Sequence, residues 1–127
     1  MKMLSHVSIG VKDLAKARSF YDAALKPLGY KCLAEGSGYL GYGAKSPELW
    51  IMAVKSPVPA NDASGLHFCF DADSRAGVDS FHAAALKTGG KDNGKPGLRA
   101  DYGDNYYAAF VVDPEGYRLE AYTTAAK

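Results

Sequence analysis

The sequence predicts an α+β fold built from two βαβββ modules, and three observations predict it. The chain matches itself without gaps when shifted by 61 residues. Runs with a hydrophobic period of two surround two stretches with a helical period. Each helical stretch opens on a residue suited to cap a helix and closes on glycine. In the shifted alignment His6 falls on His67, Ala15 on Ala76, Ser19 on Ser80, Phe20 on Phe81, residues 23–26 on 84–87, and Gly29 on Gly90. Two unrelated amphipathic helices after two strands would not share so many positions.

The first element is a strand over Leu4 to Val11, where Val7, Ile9 and Val11 point one way and His6, Ser8 and Gly10 the other. Asp13 then stands as the N-cap of a helix reaching Lys26, because its carboxylate can accept from free backbone N–H groups. Pro27 and Gly29 stop that helix. Strands follow over Tyr30–Ala34, Tyr39–Gly43 and Leu49–Val54. Residues 55–65, with Pro57, Pro59, Asn61, Asp62 and Gly65, read as a linker. The second copy begins with a strand over Leu66–Asp71 and a helix over Arg75–Thr88, capped by Ser74 and stopped by Gly89-Gly90. A weak strand is expected near Leu98–Tyr102, then strands over Tyr106–Val112 and Tyr117–Thr123. Between the last two, Asp113-Pro114-Glu115-Gly116 is a turn: proline presets φ and glycine tolerates a positive one. The chain therefore reads as one domain over 1–127, with module 1 at about 3–54, the linker at 55–65 and module 2 at about 66–123.

A length of 127 residues fits one domain, and 47% hydrophobic with 23% charged residues is a globular composition. A formal net charge of +1, with Lys and Arg spread along the chain, argues against nucleic acid or a membrane surface as partner. Cys32 and Cys69 lie in no metal-binding spacing and read as reduced thiols of a cytoplasmic protein. The start MKMLSHVSIGVKD has no apolar run of signal length, and no run of about 18 apolar residues occurs anywhere, so no leader and no membrane span are expected.

The period of two also assigns candidate site residues. If helices cover one face of each sheet, the other face can curve around a ligand. His6 and Ser8 lie on that free face, as do His67, Cys69 and Asp71, and Arg118, Glu120 and Tyr122. Two imidazoles and a carboxylate with open positions suit Fe, Mn, Zn or Ni, the ion taking substrate or water at its free positions. Trp50 and Met52 share a strand face and read either as a pocket wall or as core. Cys69 reads as a buried inert thiol or as a pocket residue. Tyr102, Tyr106, Tyr107, Tyr117 and Tyr122 suit pocket rims, although strand preference alone explains most of them. Residues 89–103 carry Lys91, Lys95 and Arg99 and read either as a solvated loop or as a cap that contacts an anionic substrate. His82, on the second helix and outside the repeated slot, reads as a surface residue.

Three stretches carry a resemblance over nearly the whole chain. They are Leu4-Ser5-His6-Val7-Ser8 with the helix containing Ala17, Phe20 and Tyr21; Gly65-Leu66-His67-Phe68; and Ala109 to Glu120 through Asp113-Pro114-Glu115-Gly116-Tyr117-Arg118-Leu119. The chain resembles the vicinal oxygen chelate superfamily, which holds glyoxalase I, bleomycin-resistance proteins, extradiol dioxygenases and fosfomycin-modifying thiol transferases. The match is best to a group of short bacterial glyoxalase-like proteins of unassigned function. The resemblance implies two modules closing around a small-molecule ligand, a homodimer, and a divalent ion on His6, His67 and Glu120. It implies an enzyme that uses the ion as Lewis acid on an oxygen-rich substrate, by lyase, isomerase, thiol-transferase or dioxygenase chemistry, with a thiol such as glutathione as a cosubstrate in one of these. The alternative is a protein that binds and sequesters a small molecule without catalysis. One departure counts against glyoxalase I itself: its fourth ligand and base is a Glu on the fourth strand, and Leu49–Val54 holds no acid, Glu48 being reachable only through a bulge. Resemblance to the thiol transferases implies a substrate contact for Ser8 and a pocket place for Trp50, though the chain stops soon after Glu120 and lacks their basic extension.

Overall fold

The computed structural model describes residues 2–127. Eight strands and two helices follow one another as β1 (Val7–Val11), α1 (Leu14–Leu25), β2 (Lys31–Gly36), β3 (Tyr39–Gly43), β4 (Leu49–Ala53), β5 (His67–Asp71), α2 (Arg75–Lys87), β6 (Lys91–Leu98), β7 (Tyr107–Val112) and β8 (Arg118–Thr123). They form two four-stranded sheets, ordered β1-β4-β3-β2 and β5-β8-β7-β6. The two orders are the same order, so the repeat read from identities is a repeat of topology. In each sheet the outer strand that opens the module runs parallel to its neighbour and the other pairs are antiparallel.

The caps are those the sequence predicts. Asp13 accepts from the backbone N–H of Lys16 and Ser74 from that of Gly77, each at 3.0 Å. Both helices lay their apolar stripe on the sheets and touch each other. Phe20 and Phe81, at the same place in the two copies, are fully buried; each burial is worth roughly 1.5–3 kcal/mol. Ile9, Val11, Leu40, Ile51, Val111 and Leu119 complete the core from the sheet side. Among the described residues no helix is long and apolar enough to cross a membrane.

Polar ties join the copies through the core. Asp113 is buried, accepts from the N–H groups of Glu115, Gly116 and Tyr117, and takes the hydroxyl of Tyr21 from α1. Burial raises its carboxyl above the usual range, and those hydrogen bonds pull it part of the way back. The buried Tyr117 donates its hydroxyl to the carbonyl of Gly10 at 2.6 Å, from β8's entry to β1. Gly116 supplies the turn with a φ of 108°, and a Cβ there would meet the Ala60 carbonyl oxygen at 2.4 Å.

Three expectations need correction. The weak strand near Leu98–Tyr102 is a 3-10 turn over Ala100–Tyr102, and the strand runs earlier, over Lys91–Leu98, inside the segment read as a loop. Gly94, Pro96 and Gly97 disguise it. β6 is an edge strand, where a missing N–H is tolerated, and its pairing with β7 shifts register at Gly94 and Gly97. The first strand starts at Val7, not Leu4. Its neighbour β4 follows Pro47, which has no N–H to extend the ladder, and the last bond is Val7 N–H to the Glu48 carbonyl. His82 is not a free surface residue: its ring is largely covered and meets Asp92 at 2.9 Å.

Candidate functional site

β5, β8 and β7 present one face away from the helices. Cross-strand pairs put His67 beside Arg118, Cys69 beside Glu120 and Asp71 beside Tyr122, then Glu120 beside Phe110 and Tyr122 beside Ala108. At the centre of this face lies Glu120, a carboxylate only 5% exposed. His67 Nε2 meets its Oε1 at 2.8 Å, and the Tyr106 hydroxyl donates to its Oε2 at 2.6 Å. With Glu120 ionised, the first of these bonds needs a proton on His67 Nε2. A buried charge without partners would be costly, and here both oxygens are satisfied.

Aromatic rings frame the pair. The His67 ring lies 6.1 Å from the ring of Phe110. Tyr106 stacks on Tyr122 with centroids 4.9 Å apart, and Tyr102 meets Tyr106 edge-on at 5.2 Å. Burial first, then the bond to Glu120, raises the Tyr106 hydroxyl, so it stays protonated and keeps donating. Cys69 corrects its expectation in part. The residue is exposed overall, yet desolvation of its sulfur and the neighbouring Glu120 charge push its thiol up to about 12, so it stays a thiol near neutral pH.

The other candidates divide between two sheets. Tyr122 and Arg99 join His67, Cys69 and Glu120 on the second. Ser8, Trp50 and Met52 lie on the equivalent face of the first, where Ser8 is the cross-strand partner of Trp50. Trp50 is half-buried against Tyr39, and Met52 is exposed, so the pair is neither core nor part of the Glu120 cluster. β4 pairs with β1 and β3 without a register shift. Glu48 therefore has no bulge through which to enter the sheet face; it pairs with Lys2 at 2.6 Å.

His6 is exposed just before β1, with its Nδ1 3.0 Å from the hydroxyl of Ser5. It lines a cavity of about 380 Å³ between the start of β1 and β5, whose other walls include Tyr30, Phe68, His67, Cys69 and Asp71. The two repeated histidines thus border one space, but Glu120 is not among its walls. Among the described residues no three His, Cys, Asp or Glu side chains are gathered as a metal-holding group. His67 and Glu120 do fit an ion as a pair: two donors each about 2.0–2.2 Å from one ion, at right angles, stand ~3 Å apart.

One residue of this site, Phe110, escapes the sequence reading, and Tyr106 enters it only as one pocket-rim tyrosine among five. The signal was present. On β7 and the residue before it, Tyr106, Ala108, Phe110 and Val112 alternate with the core-facing Tyr107, Ala109 and Val111, which places them on the Glu120 face.

Comparison with known proteins adds a family. The family model described as Glyoxalase/Bleomycin resistance protein/Dioxygenase superfamily matches residues 3–121. A glyoxalase/bleomycin resistance protein from Albidiferax ferrireducens T118 superposes with a TM-score of 0.82 and 32% identity, covering 95% of this chain and 98% of that one. An uncharacterised protein of Bacillus subtilis, YqjT, is 27% identical over 124 residues, 92% of this chain and 95% of its own length. The fosfomycin resistance protein FosX of Listeria monocytogenes shares the fold with a TM-score of 0.70 at 18% identity, covering 96% of this chain and 93% of its own.

Proposed function

The chain belongs to the Glyoxalase/Bleomycin resistance protein/Dioxygenase superfamily, and from that premise we propose that it is a metal-dependent small-molecule enzyme whose reacting centre is the His67–Glu120 pair. The observation that carries this reading is the 2.8 Å separation of His67 Nε2 and Glu120 Oε1, one at ligand spacing around a buried carboxylate. A divalent ion there supplies Lewis-acid polarisation of a substrate oxygen. His6 is the third ligand in this proposal. Because one chain does not gather it with the pair, a second copy brings it, as a homodimer that sets the opening strand of one copy against the second sheet of the other.

The chain's own residues then have separate tasks. Tyr106 holds the Glu120 carboxylate by its second oxygen and so orients the first. Phe110 beside His67, and Tyr122 stacked on Tyr106, give the substrate aromatic surface to pack against. Cys69, kept as a thiol, fills space beside Glu120 without competing as a thiolate. The position that would supply a carboxylate base from the first sheet is Trp50, which argues for chemistry other than carbon-acid isomerisation.

The test is metal titration of the purified protein with Mn, Fe, Ni and Zn ions, by calorimetry and elemental analysis. One ion per chain is expected, lost in His6→Ala, His67→Ala and Glu120→Ala alike. Mixing His6→Ala with Glu120→Ala protein restores binding, since a mixed dimer rebuilds one complete site. No ion bound by the native protein ends the metal proposal, and no restoration on mixing ends the shared site.

A further inference from the structure

Arg99 follows β6 and folds back across it. Its Nη1 donates to the Gly97 carbonyl at 2.9 Å and its Nη2 to the Lys95 carbonyl at 2.7 Å. The strand makes room by omitting side chains: a Cβ on Gly94 would stand 3.3 Å from Nη2, and one on Gly97 the same distance from Nη1. Gly94 is the cross-strand partner of Phe110, and Phe110 that of Glu120, so the guanidinium lies on the face that carries the His67–Glu120 pair. Its central carbon is 5.3 Å from the Phe110 ring centroid, and the His67 ring is 6.1 Å from the same centroid. The guanidinium lies over the Phe110 ring, and the same ring neighbours His67.

Apart from the Phe110 ring beside it, this cation has no ion-pair partner among the described residues. Arg118 on the same sheet pairs with Asp62, and Arg18 pairs with Glu35. Among the described residues no carboxylate lies within ion-pair distance of Arg99. Two backbone carbonyls take two of its five N–H donors and fix the plane of the group. The remaining donors form a planar fork, the geometry that accepts a carboxylate in two parallel bonds.

We propose that Arg99 is the anion-binding residue of this site, and that the ligand is a small carboxylate with an apolar, ring-sized body whose far oxygen reaches His67 and Glu120. The ring rests on Phe110, the carboxylate meets Arg99, and the oxygen at the other end meets the polar pair. The proposal rests on the reading of this face as the small-molecule site. It does not require the metal, and its test is made on metal-free protein so that the two succeed or fail separately.

The probes are 4-hydroxybenzoate and its uncharged analogue 4-hydroxybenzamide, titrated into the full-length, nitrogen-15-labelled protein. The Arg99 Nε–H signal is identified as the one missing from Arg99→Gln. The carboxylate is expected to move that signal and to bind about tenfold or more tighter than the amide, the worth of a charge-assisted hydrogen bond. Arg99→Gln removes the preference; Arg99→Lys, which keeps charge but not the fork, retains part of it. An Arg99 signal unmoved at tens of millimolar carboxylate overturns the proposal, as does a preference that persists in Arg99→Gln. Should Arg99→Gln not fold, assignment and comparison pass to Arg99→Lys: a reduced preference supports the proposal and an unchanged one overturns it.

Discussion

Trp50 holds in the first sheet the place that Glu120 holds in the second. Each is the cross-strand partner of the residue two positions beyond a repeated histidine: Trp50 of Ser8, after His6, and Glu120 of Cys69, after His67. One duplicated scaffold thus carries an acid at one copy of a position and an indole at the other. The indole lies over Gly41, where a Cβ would stand 2.7 Å from the ring. Gly41→Ala must push the ring off the sheet, at a cost of about 1–3 kcal/mol. Trp50 is the only tryptophan in the chain, so its fluorescence reports this one movement. A lowered denaturation midpoint with a shifted emission is expected; an unchanged emission would contradict the packing described.

Tyr106 acts on the centre through Glu120. Tyr106→Phe leaves Glu120 Oε2 without its protein donor while His67 still holds Oε1. Loss of a hydrogen bond to a buried carboxylate costs about 1–3 kcal/mol of stability. If Glu120 is a ligand, freeing its second oxygen also weakens metal binding by about 10- to 100-fold, the usual effect of removing an outer partner. Calorimetric titration of native and Tyr106→Phe protein with the same ion separates this from a purely structural role, which would lower the melting temperature and leave the affinity unchanged.

The parts of this molecule that were legible in the sequence are those governed by local physics. Asp13 and Ser74 announce the helix starts because a cap is a short-range hydrogen bond, and period two placed His67, Cys69 and Glu120 on one face. β6 was hidden because an edge strand can carry Gly94, Pro96 and Gly97, residues that mean a loop elsewhere. Arg99 was read as an anion contact only on a loop, solvated or capping, and Tyr106 as one pocket-rim tyrosine among five; their geometry was hidden, since neither a side chain folding back across its strand nor a hydroxyl meeting a carboxylate fourteen residues away leaves a periodic trace. His6 was legible as the partner of His67 in sequence, but periodicity carries no information on how two modules sit against each other.

The bond between Tyr21 and Asp113 joins α1 of the first copy to the last turn of the second. Tyr21→Phe removes one of four donors to the buried carboxylate and is expected to cost about 1–3 kcal/mol. Asp113→Ala strips the turn of the acceptor for three backbone N–H groups as well and costs more. The double variant should be no worse than Asp113→Ala alone by more than a few tenths of a kcal/mol, since the residues share one interaction. Full additivity in a denaturant titration would mean that the two groups do not act together.

Alkaline pH tests the buried hydroxyls as a set. Tyr21, Tyr42 and Tyr117 are fully buried, and burial leads the causes that raise each above the ordinary tyrosine value of 10.0; nearby Asp113 adds to the rise at Tyr21 and Tyr117, and Asp22 at Tyr42. A raised folded-state value means that above pH ~10 the folded chain holds protons the unfolded chain has lost. The stabilising contribution is complete below the unfolded-state value and is lost as pH rises through and beyond it. The melting temperature should therefore not fall on account of these groups between neutrality and pH ~9, then drop steeply above pH ~10. Phenolate absorbance should show the exposed tyrosines titrating first and the buried ones ionising together with loss of near-ultraviolet circular dichroism. Tyr21→Phe should soften the drop. All nine tyrosines titrating near pH ~10 with the fold intact would be incompatible with this core.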